Sequence, residues 1–351
     1  MLPPLDDLLA AAHVISLPMR VRFRGVDRRE ALLIEGPAGW GEFSPFVEYE
    51  DDEAARWLVS ALESAFGPAA GGAAGGGTDE PSRATLLPAP VRDVVPVNAT
   101  VPAVPAAQVE AVLARFGGCT TAKVKVAERG QTVADDVARV AEVRRLLGPA
   151  GRVRVDANGA WSPSEAVDAL TRLARYDLEY AEQPTATLEG LRAVRLELAR
   201  QRLDVRIAAD ESVRKAEDPL RVAVAGAADV VVIKVAPLGG VRAAYEVASR
   251  LGADHGLPVV VSSALDTSVG LACGVALAAA LPELPFACGL GTSSLFVDDV
   301  CDPPLRVSDG VLPVGAVRPD QDRLATLAAD DARRAWWLDR LGRCHAVLAP
   351  R

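Results

Sequence analysis

The sequence predicts an α/β fold in which eight parallel strands and their connecting helices form a barrel, preceded by a small α+β unit. From Val94 onwards, short strand patterns alternate with helical patterns over roughly 200 residues, which is typical of such a barrel. Three acidic residues lie at strand ends in this region, and the intervals between them are 26 and 28 residues, close to one strand–helix unit. Residues 1–93 lack this alternation and are therefore assigned to the separate unit.

The α+β unit is predicted from three strand patterns and one helix. These are Arg20–Arg24, Glu30–Glu35 and Gly39–Phe43 for the strands and Asp51–Phe66 for the helix. Within the helix, apolar residues recur every four positions from Ala54 onwards, as on the buried face of an amphipathic helix. The next stretch is rich in glycine and alanine, and we expect residues 67–80 to form a linker or an insertion.

The barrel is predicted to span residues 94–302. Its strands are predicted at Val95–Val101, Ala122–Ala127, Val153–Asn158, Leu178–Gln183, Val205–Asp210, Asp229–Val235, Pro258–Ser263 and Phe286–Leu290. The helices between them are predicted at Val133–Leu147, Pro163–Arg175, Leu188–Arg200, Val241–Leu251 and Ser268–Ala280. Residues 303–351 do not continue this alternation, because a turn at Asp309-Gly310 is followed by one or two helices in Asp322–Leu341. We expect this last segment to return to the N-terminal unit.

Composition excludes several classes of function. A net charge of −9 argues against nucleic acid or an anionic membrane as the main partner. The five cysteines are scattered without a CxxC spacing and no signal peptide precedes them, so we expect reduced thiols in a cytoplasmic protein. The apolar run from Leu271 to Leu281 is too short to span a bilayer. The three histidines are not spaced as ligands, which argues against a zinc site.

Charged residues occupy the carboxyl ends of five consecutive predicted strands. They are Lys125, Asp156, Glu182, Asp210 and Lys234. In a parallel barrel these strand ends converge on one mouth, which is where such folds carry their chemistry. Because buried charges are costly unless paired or bound to a metal, three carboxylates at one mouth indicate a divalent cation. Oxygen ligands favour Mg²⁺ or Mn²⁺ over zinc.

The two lysines lie on opposite sides of the three carboxylates and fit a proton-transfer reaction. A nearby cation, a second lysine and burial all lower the pKa of an ammonium group. One or both lysines could then act as a neutral base at physiological pH. The metal would stabilise the negative charge left on a substrate carboxylate when its α-proton departs. The residues therefore predict metal-assisted proton abstraction next to a carboxylate.

The motifs around these residues together resemble those of the enolase superfamily, and within it the muconate-lactonising subgroup. The shared motifs are Lys123-Val124-Lys125, Asp156-Ala157-Asn158, Glu182-Gln183-Pro184, Asp210-Glu211-Ser212, and Ile233-Lys234 with the following Gly239-Gly240. The stretch from Arg154 to Trp161 is also similar to the Arg-x-Asp-x-Asn-x-x-Trp stretch of the o-succinylbenzoate synthases. The resemblance covers nearly the whole chain.

The resemblance implies a modified (β/α)8 barrel closed by the N-terminal unit as a capping domain. It implies that Asp156, Glu182 and Asp210 hold Mg²⁺, with Mn²⁺ as the alternative. It also implies that Lys125 is the acid/base and that Lys234 is its partner across the site. The implied reaction is a syn dehydration in menaquinone biosynthesis, from 2-succinyl-6-hydroxy-2,4-cyclohexadiene-1-carboxylate to o-succinylbenzoate and water.

Further substrate contacts are predicted around the mouth, and for some of these residues a purely structural role is the alternative. The residues are Lys123, Arg154, Asn158, Ser262, Ser263, Gly289 and Gly291. The two serines and the backbone N–H groups of the glycine turn are candidates for the carboxylate of the succinyl chain. The alternatives are a rim charge for Lys123, an ion pair inside the barrel for Arg154, and helix N-capping for the serines. We also expect the loops near 19–25 and 42–49 to close over the ligand.

Other functions remain compatible with the same five residues. An N-acylamino-acid racemase or dipeptide epimerase would use both lysines on opposite faces of one carbon, and a muconate cycloisomerase is a third possibility. A barrel that binds a ligand without catalysis is disfavoured, because it does not explain two lysines facing three carboxylates. In each case the expected partner is a small carboxylate, and the chain is compatible with a monomer or a small homo-oligomer.

Overall fold

The computed structural model describes residues 2–67, 87–215 and 218–349. Of the predicted linker 67–80, only Gly67 belongs to these residues, and the rest of that prediction lies outside them. No helix in the described ranges is both long enough and apolar enough to cross a bilayer.

The N-terminal unit is a three-stranded antiparallel sheet covered by a helix. Its elements are α1 (Leu5–Ala10), β1 (Ala12–Phe23), β2 (Val26–Gly36), β3 (Gly39–Phe43) and α2 (Asp51–Phe66), with strand order β1-β2-β3. Helix α2 packs so closely on the sheet that a Cβ atom at Gly41 would lie 1.9 Å from the carbonyl oxygen of Ala61. The helix has the predicted bounds, whereas the first two strands are longer than predicted.

The second unit is a curled parallel sheet of seven strands that forms most of a barrel. The strands are β5 (Ala99–Val101), β6 (Thr121–Lys125), β7 (Arg152–Asp156), β8 (Leu178–Glu182), β9 (Ile207–Ala209), β10 (Val230–Lys234) and β11 (Val259–Ser262), hydrogen-bonded in sequence order. Residues of the predicted eighth strand close the ring through single bridges, Val97 with Cys288 and Ser262 with Gly289. The predicted strand Phe286–Leu290 is therefore reduced to these two pairings.

Helices lie between the strands and cover the outside of the sheet. They are α3 (Val109–Leu113), α4 (Val133–Leu147), α5 (Pro163–Leu173), α6 (Leu188–Arg200), α7 (Glu211–Arg214), α8 (Arg221–Val224), α9 (Val241–His255) and α10 (Ser268–Ala280). Helices α4 and α5 each begin with a capping box. Thr132 and Ser162 are the N-cap residues, and each exchanges hydrogen bonds with the residue three positions later. The predicted bounds of α4, α6 and α10 agree with the structure.

The first predicted barrel strand is divided by the structure. Residues Val94–Pro96 form β4, which pairs in antiparallel fashion with β12 (Val311–Pro313) outside the barrel. Only Ala99–Val101 joins the parallel sheet. The prediction of one continuous strand at Val95–Val101 was therefore wrong. Its first half pairs instead with β12, a strand more than 200 positions away in the sequence.

The last segment carries two helices, α11 (Gln321–Thr326) and α12 (Asp331–Leu348), and α12 packs against the N-terminal unit. Arg333 forms an ion pair with Glu30 of β2 at 2.6 Å. The indole of Trp337 donates a hydrogen bond to the same carboxylate at 2.8 Å. Arg340 donates to the carbonyl oxygen of Phe46. The last helix thus ties β2 and the loop at Phe46 to the C-terminal segment.

Candidate active site

Six charged residues from adjacent strands meet at the carboxyl-terminal mouth of the barrel. They are Lys123, Lys125, Asp156, Glu182, Asp210 and Lys234, and all are buried. Strand pairing sets their positions, because Asp156 lies opposite Lys125 on one side and opposite Glu182 on the other. Five of them are the residues predicted for the metal and the proton transfer, and the sixth, Lys123, was predicted as a substrate contact.

Each lysine at the mouth is paired with a carboxylate. The Nζ atom of Lys125 donates to Oδ2 of Asp156 at 2.5 Å, and Lys234 donates to Oδ2 of Asp210 at 2.6 Å. Lys123 lies between two carboxylates, 2.5 Å from Oε1 of Glu182 and 3.0 Å from Oδ2 of Asp156. The mouth therefore holds three ammonium groups against three carboxylates, and Lys123 is a buried ion-pair partner rather than a rim charge.

The local backbone aims these groups by two turns of unusual conformation. Asn158 follows β7 with φ +46°, and its N–H group donates to Asp156 while its side-chain oxygen accepts from Lys125 at 2.5 Å. Gln183 follows β8 with φ +39°, and its side-chain oxygen accepts from the backbone N–H groups of Asp210 and Ser212. The amide residues of the Asp-x-Asn and Glu-Gln-Pro motifs thus hold the neighbouring carboxylate segments in place.

The carboxylates differ in their proton affinity because their surroundings differ. Burial favours the neutral form of Asp156, but the charges of Lys123 and Lys125 outweigh it and hold the pKa well below its usual range. Burial, reinforced by the negative charge of Asp156, raises the pKa of Glu182 to about 7. For Asp210, the charges of Lys234 and Arg214 overcome burial and lower the pKa to about 2.

The two lysines on β6 are also distinct. Burial lowers the pKa of Lys125, against the opposing charge of Asp156 and together with the like charge of Lys123. For Lys123, burial acts in the same direction, but Asp156 and Glu182 raise its pKa well above the usual value. The second lysine of the Lys-x-Lys motif is therefore the one that loses its proton more easily.

The donor set at the mouth fits a hard divalent cation. It consists of carboxylate oxygens, and Oδ1 of Asp210 and Oε2 of Glu211 are buried without accepting a hydrogen bond. As the described side chains stand, no three acidic, histidine or cysteine groups are close enough together to hold an ion. The ammonium of Lys123 joins Glu182 to Asp156, so a cation shared by the three carboxylates requires Lys123 to give up part of this contact.

A cavity, here called the mouth pocket, lies between the charged residues and the N-terminal unit. Its lining includes Phe23, Arg24 and Phe46 from the N-terminal unit, and Lys125, Asn158, Lys234 and residues 262–265 from the barrel. Sequence reasoning named the loops that contain the first three residues but did not single out their side chains. No local pattern singles them out, because the adjacent residues Phe23 and Arg24 would lie on opposite faces of an alternating strand.

The predicted tail contacts are mostly engaged in closing the barrel. Ser263 donates to the carbonyl oxygen of Gly289 at 2.8 Å and also contacts the hydroxyl of Thr292 at 2.8 Å. Ser262 lies 3.4 Å from the same carbonyl oxygen. The N–H group of Gly289 donates to Val261, so it is not available to a carboxylate. Both serines and Gly289 line the mouth pocket, but their polar groups are used by the fold.

Two other predicted contacts lie away from the mouth pocket. At Gly291, an added Cβ would lie 2.9 Å from the carbonyl oxygen of Asn98, so the glycine permits close backbone packing. Arg154 is fully buried and forms an ion pair with Glu179 at 2.5 Å, and it donates to the carbonyl oxygen of Ala287 at 2.7 Å. We therefore reassign Arg154 from the substrate to the barrel interior, because it lies two residues deeper on β7 than Asp156.

Comparisons with known proteins agree with this architecture. Family models described as enolase C-terminal domain-like and enolase N-terminal domain-like match residues 105–320 and 14–65. The muconate lactonizing enzyme from Pseudomonas fluorescens, solved in complex with muconolactone, superposes with a TM-score of 0.74 at 21% identity, covering 91% of this chain and 98% of that chain. At this identity the likeness concerns the fold, which is a modified (β/α)8 barrel with a capping domain.

Sequence relatives extend the likeness to the whole chain. The o-succinylbenzoate synthase of Mycolicibacterium smegmatis is 57% identical over 347 residues, which are 99% of this chain and 98% of the relative. The o-succinylbenzoate synthase of Mycobacterium tuberculosis is 54% identical over 351 residues, with the same two coverages. The chain therefore belongs to the o-succinylbenzoate synthase family of the enolase superfamily and is an enzyme of the lyase class.

Proposed function

We propose that this chain catalyses the metal-dependent syn dehydration of 2-succinyl-6-hydroxy-2,4-cyclohexadiene-1-carboxylate to o-succinylbenzoate. The observation that carries the proposal is the 53–57% identity to relatives named o-succinylbenzoate synthase over nearly their entire length. The pairing of Lys125 and Lys234 with carboxylates at one mouth supports it, because the reaction needs a base beside a charged binding site. The racemase or epimerase alternative is not favoured by these relatives.

The proposed cofactor is Mg²⁺, with Mn²⁺ as the alternative. Asp156, Glu182 and Asp210 would hold it, since they supply carboxylate oxygens from three adjacent strands. When bound, the cation supplies positive charge that stabilises the negative charge developing on the substrate carboxylate. Both the cation and its three ligands are part of the proposal.

We propose different roles for Lys125 and Lys234 because their surroundings differ. Lys125, whose pKa is lowered, takes the proton α to the ring carboxylate. The same Nζ atom then returns this proton to the departing hydroxyl group, which leaves as water on the same face of the ring. Lys234 remains charged on the opposite side and stabilises the carboxylate electrostatically. The ring gains its aromatic character in this step, which makes the reaction favourable.

The cellular setting is part of the proposal. The product would serve menaquinone biosynthesis, and we propose that the reaction takes place in the cytoplasm. The partner of the chain is then a small dicarboxylate substrate rather than a macromolecule. The acidic balance of the chain, with its net charge of −9, supports this by disfavouring nucleic acid and anionic surfaces.

The test is a dehydration assay with the purified full chain and freshly made substrate. With Mg²⁺, we expect aromatic product, followed by ultraviolet absorbance, and with EDTA we expect none. N-acylamino acids in deuterated water form the parallel arm, in which the racemase alternative gives deuterium exchange at the α-carbon. Exchange without dehydration, or no reaction in either arm at any Mg²⁺ or Mn²⁺ concentration, would contradict the proposal.

A further inference from the structure

The turn between β1 and β2 brings an arginine from the capping unit to the mouth pocket. Strand β1 ends at Phe23, and the chain reverses through Arg24 with φ +50° and Gly25 with φ +80°. Phe23 and Arg24 both line the mouth pocket together with Lys125. The Nζ atom of Lys125 lies 5.4 Å from the centre of the Phe23 ring, so the turn is next to the proposed base.

Arg24 differs from the other cations of this lining in how its charge is matched. Lys123, Lys125 and Lys234 each lie 2.5 or 2.6 Å from a buried carboxylate oxygen. The nearest carboxylate to Arg24 is that of Glu48, at 4.0 Å, and the side chain of Glu48 is 57% exposed. Within the described chain, the guanidinium of Arg24 donates no hydrogen bond. Its donors are therefore available to a ligand in the pocket.

The guanidinium of Arg24 is nevertheless held in place. It stacks over the ring of Phe46, 4.2 Å from the ring centre, and the guanidinium of Arg29 lies 4.4 Å from the same centre. Arg29 is committed to the carbonyl oxygens of Leu265 and Ser44. A planar, positioned guanidinium of this kind suits a carboxylate.

The approach to the pocket leads past the same residue. A wider cavity of about 660 Å³ opens outside the mouth pocket, and Arg24, Lys125 and Asn158 line both cavities. The mouth pocket itself has a free volume of about 30 Å³, so a ligand in it must extend into the wider cavity, whose lining also includes Arg24. The other groups considered for the tail of the substrate, Ser263 and the N–H of Gly289, are already hydrogen-bonded within the fold.

We infer that Arg24 binds the second carboxylate of the substrate, at the end of its succinyl chain, and selects dicarboxylates over monocarboxylates. The inference rests on the proposed function, because it takes the substrate from there. The ring carboxylate belongs to the cluster of lysines and acidic residues, and the succinyl chain extends outwards. Arg24 is then a residue of binding and specificity, and it takes no part in the proton transfer.

The test pairs a change in the protein with a change in the ligand. Arg24→Met should raise KM for the diacid substrate about 10- to 100-fold and lower kcat less, because a charged hydrogen bond is lost. The substrate analogue whose succinyl carboxylate is a methyl ester should respond to Arg24→Met by less than about 3-fold. Arg24→Lys should retain part of the effect of the charge but lose bidentate geometry.

Binding of the stable product gives a readout that does not depend on turnover. In calorimetry with o-succinylbenzoate and Mg²⁺, Arg24→Met should lower the affinity for the diacid by about 10- to 100-fold. The same variant should lower the affinity for the mono-ester only slightly. Arg129→Met is the matched control, because Arg129 is exposed and lines only the outer cavity, so it reports general loss of positive charge. A comparable loss for Arg129→Met would overturn the inference.

The outcomes separate this inference from the proposed function. If the wild-type chain does not dehydrate the diacid, the proposed function fails. If the wild type is active and Arg24→Met binds the diacid as well as the wild type does, only the role of Arg24 fails. An equal loss for the diacid and the mono-ester would also overturn it, because the second carboxylate would then not be the group recognised. Arg24→Lys provides the same comparison if the methionine variant does not fold.

Discussion

Two layers of charge inside the same barrel differ in what their charges contact. In the mouth layer, Lys125 and Lys234 pair with carboxylates and line a pocket. In the deeper layer, Arg154 forms an ion pair with Glu179 and does not line that pocket. It donates a hydrogen bond to the side-chain oxygen of Asn98 at 3.0 Å. The guanidinium of Arg154 also lies 4.7 Å from the ring centre of Tyr180, and both side chains are buried.

The role of a charged residue on a barrel strand therefore depends on two things. One is the face of the sheet on which its side chain lies, and the other is its distance along the strand from the mouth. Arg154 and Asp156 lie on the same strand and the same face, two residues apart, which corresponds to roughly 6.6 Å along the strand. Asp156 reaches the mouth pocket, whereas Arg154 is surrounded by protein groups. We therefore expect changes in the mouth layer to affect turnover and changes in the deeper layer to affect stability.

Chelation of the metal is expected to have the largest effect on turnover and little effect on the fold. Each mouth carboxylate has an ammonium partner in the protein, so the charges remain balanced without a cation. EDTA should abolish dehydration, while the far-ultraviolet and near-ultraviolet circular dichroism spectra stay unchanged. Unfolding on chelation would mean that the lysines do not compensate the carboxylates.

Lys125→Ala tests the base directly. Turnover should fall by about 10²- to 10⁴-fold, the range for a lost general acid/base, while the Mg²⁺ affinity measured by calorimetry is retained. Asp156 keeps Lys123 at 3.0 Å, so the loss of stability should be small. Retained turnover in Lys125→Ala would reject the assigned role.

Arg154→Met tests the deeper layer. It removes a buried cation from Glu179 and leaves two buried acceptors, on Asn98 and Ala287, without their donor. The free energy of unfolding should fall by about 3 kcal/mol, as when a buried ion pair is broken. KM of the folded fraction should change little. Denaturant unfolding and steady-state kinetics measure the two effects, and a rise in KM without loss of stability would return Arg154 to the substrate.

Glu179→Gln should give the smallest effect. The glutamine oxygen can still accept from Arg154, and the side chain at this position is partly exposed, so the expected loss is about 1 kcal/mol. Turnover should be unchanged. If this variant loses more stability than Arg154→Met, the ion pair cannot be the main contribution of the deeper layer.

The mouth layer could be predicted from the sequence because it follows from a repeat. Parallel strands that alternate with helices bring their carboxyl ends together, so Lys125, Asp156, Glu182 and Lys234 could be placed by spacing alone. Strand alternation also gave the inward side of Arg154. It did not give the depth of Arg154, because the position of the pocket floor depends on how all the strands close.

The remaining features depend on contacts between distant parts of the chain. Arg24 reaches the pocket from a hairpin about a hundred residues before Lys125, and no local pattern specifies this approach. Ser263 could be placed after a strand, but its bond to Gly289 depends on closure of the ring. The first barrel strand was predicted too long for the same reason, since Val94–Pro96 pairs with β12.

The most direct test of the account is to locate the cation. Crystals of the full chain grown with Mn²⁺ would be measured at a wavelength where manganese scatters anomalously. We expect one anomalous peak at the barrel mouth, bound by Asp156, Glu182 and Asp210, with Lys123 moved from its position between Glu182 and Asp156. A peak elsewhere, or the lysine–carboxylate pairs intact in the presence of millimolar Mn²⁺, would contradict it.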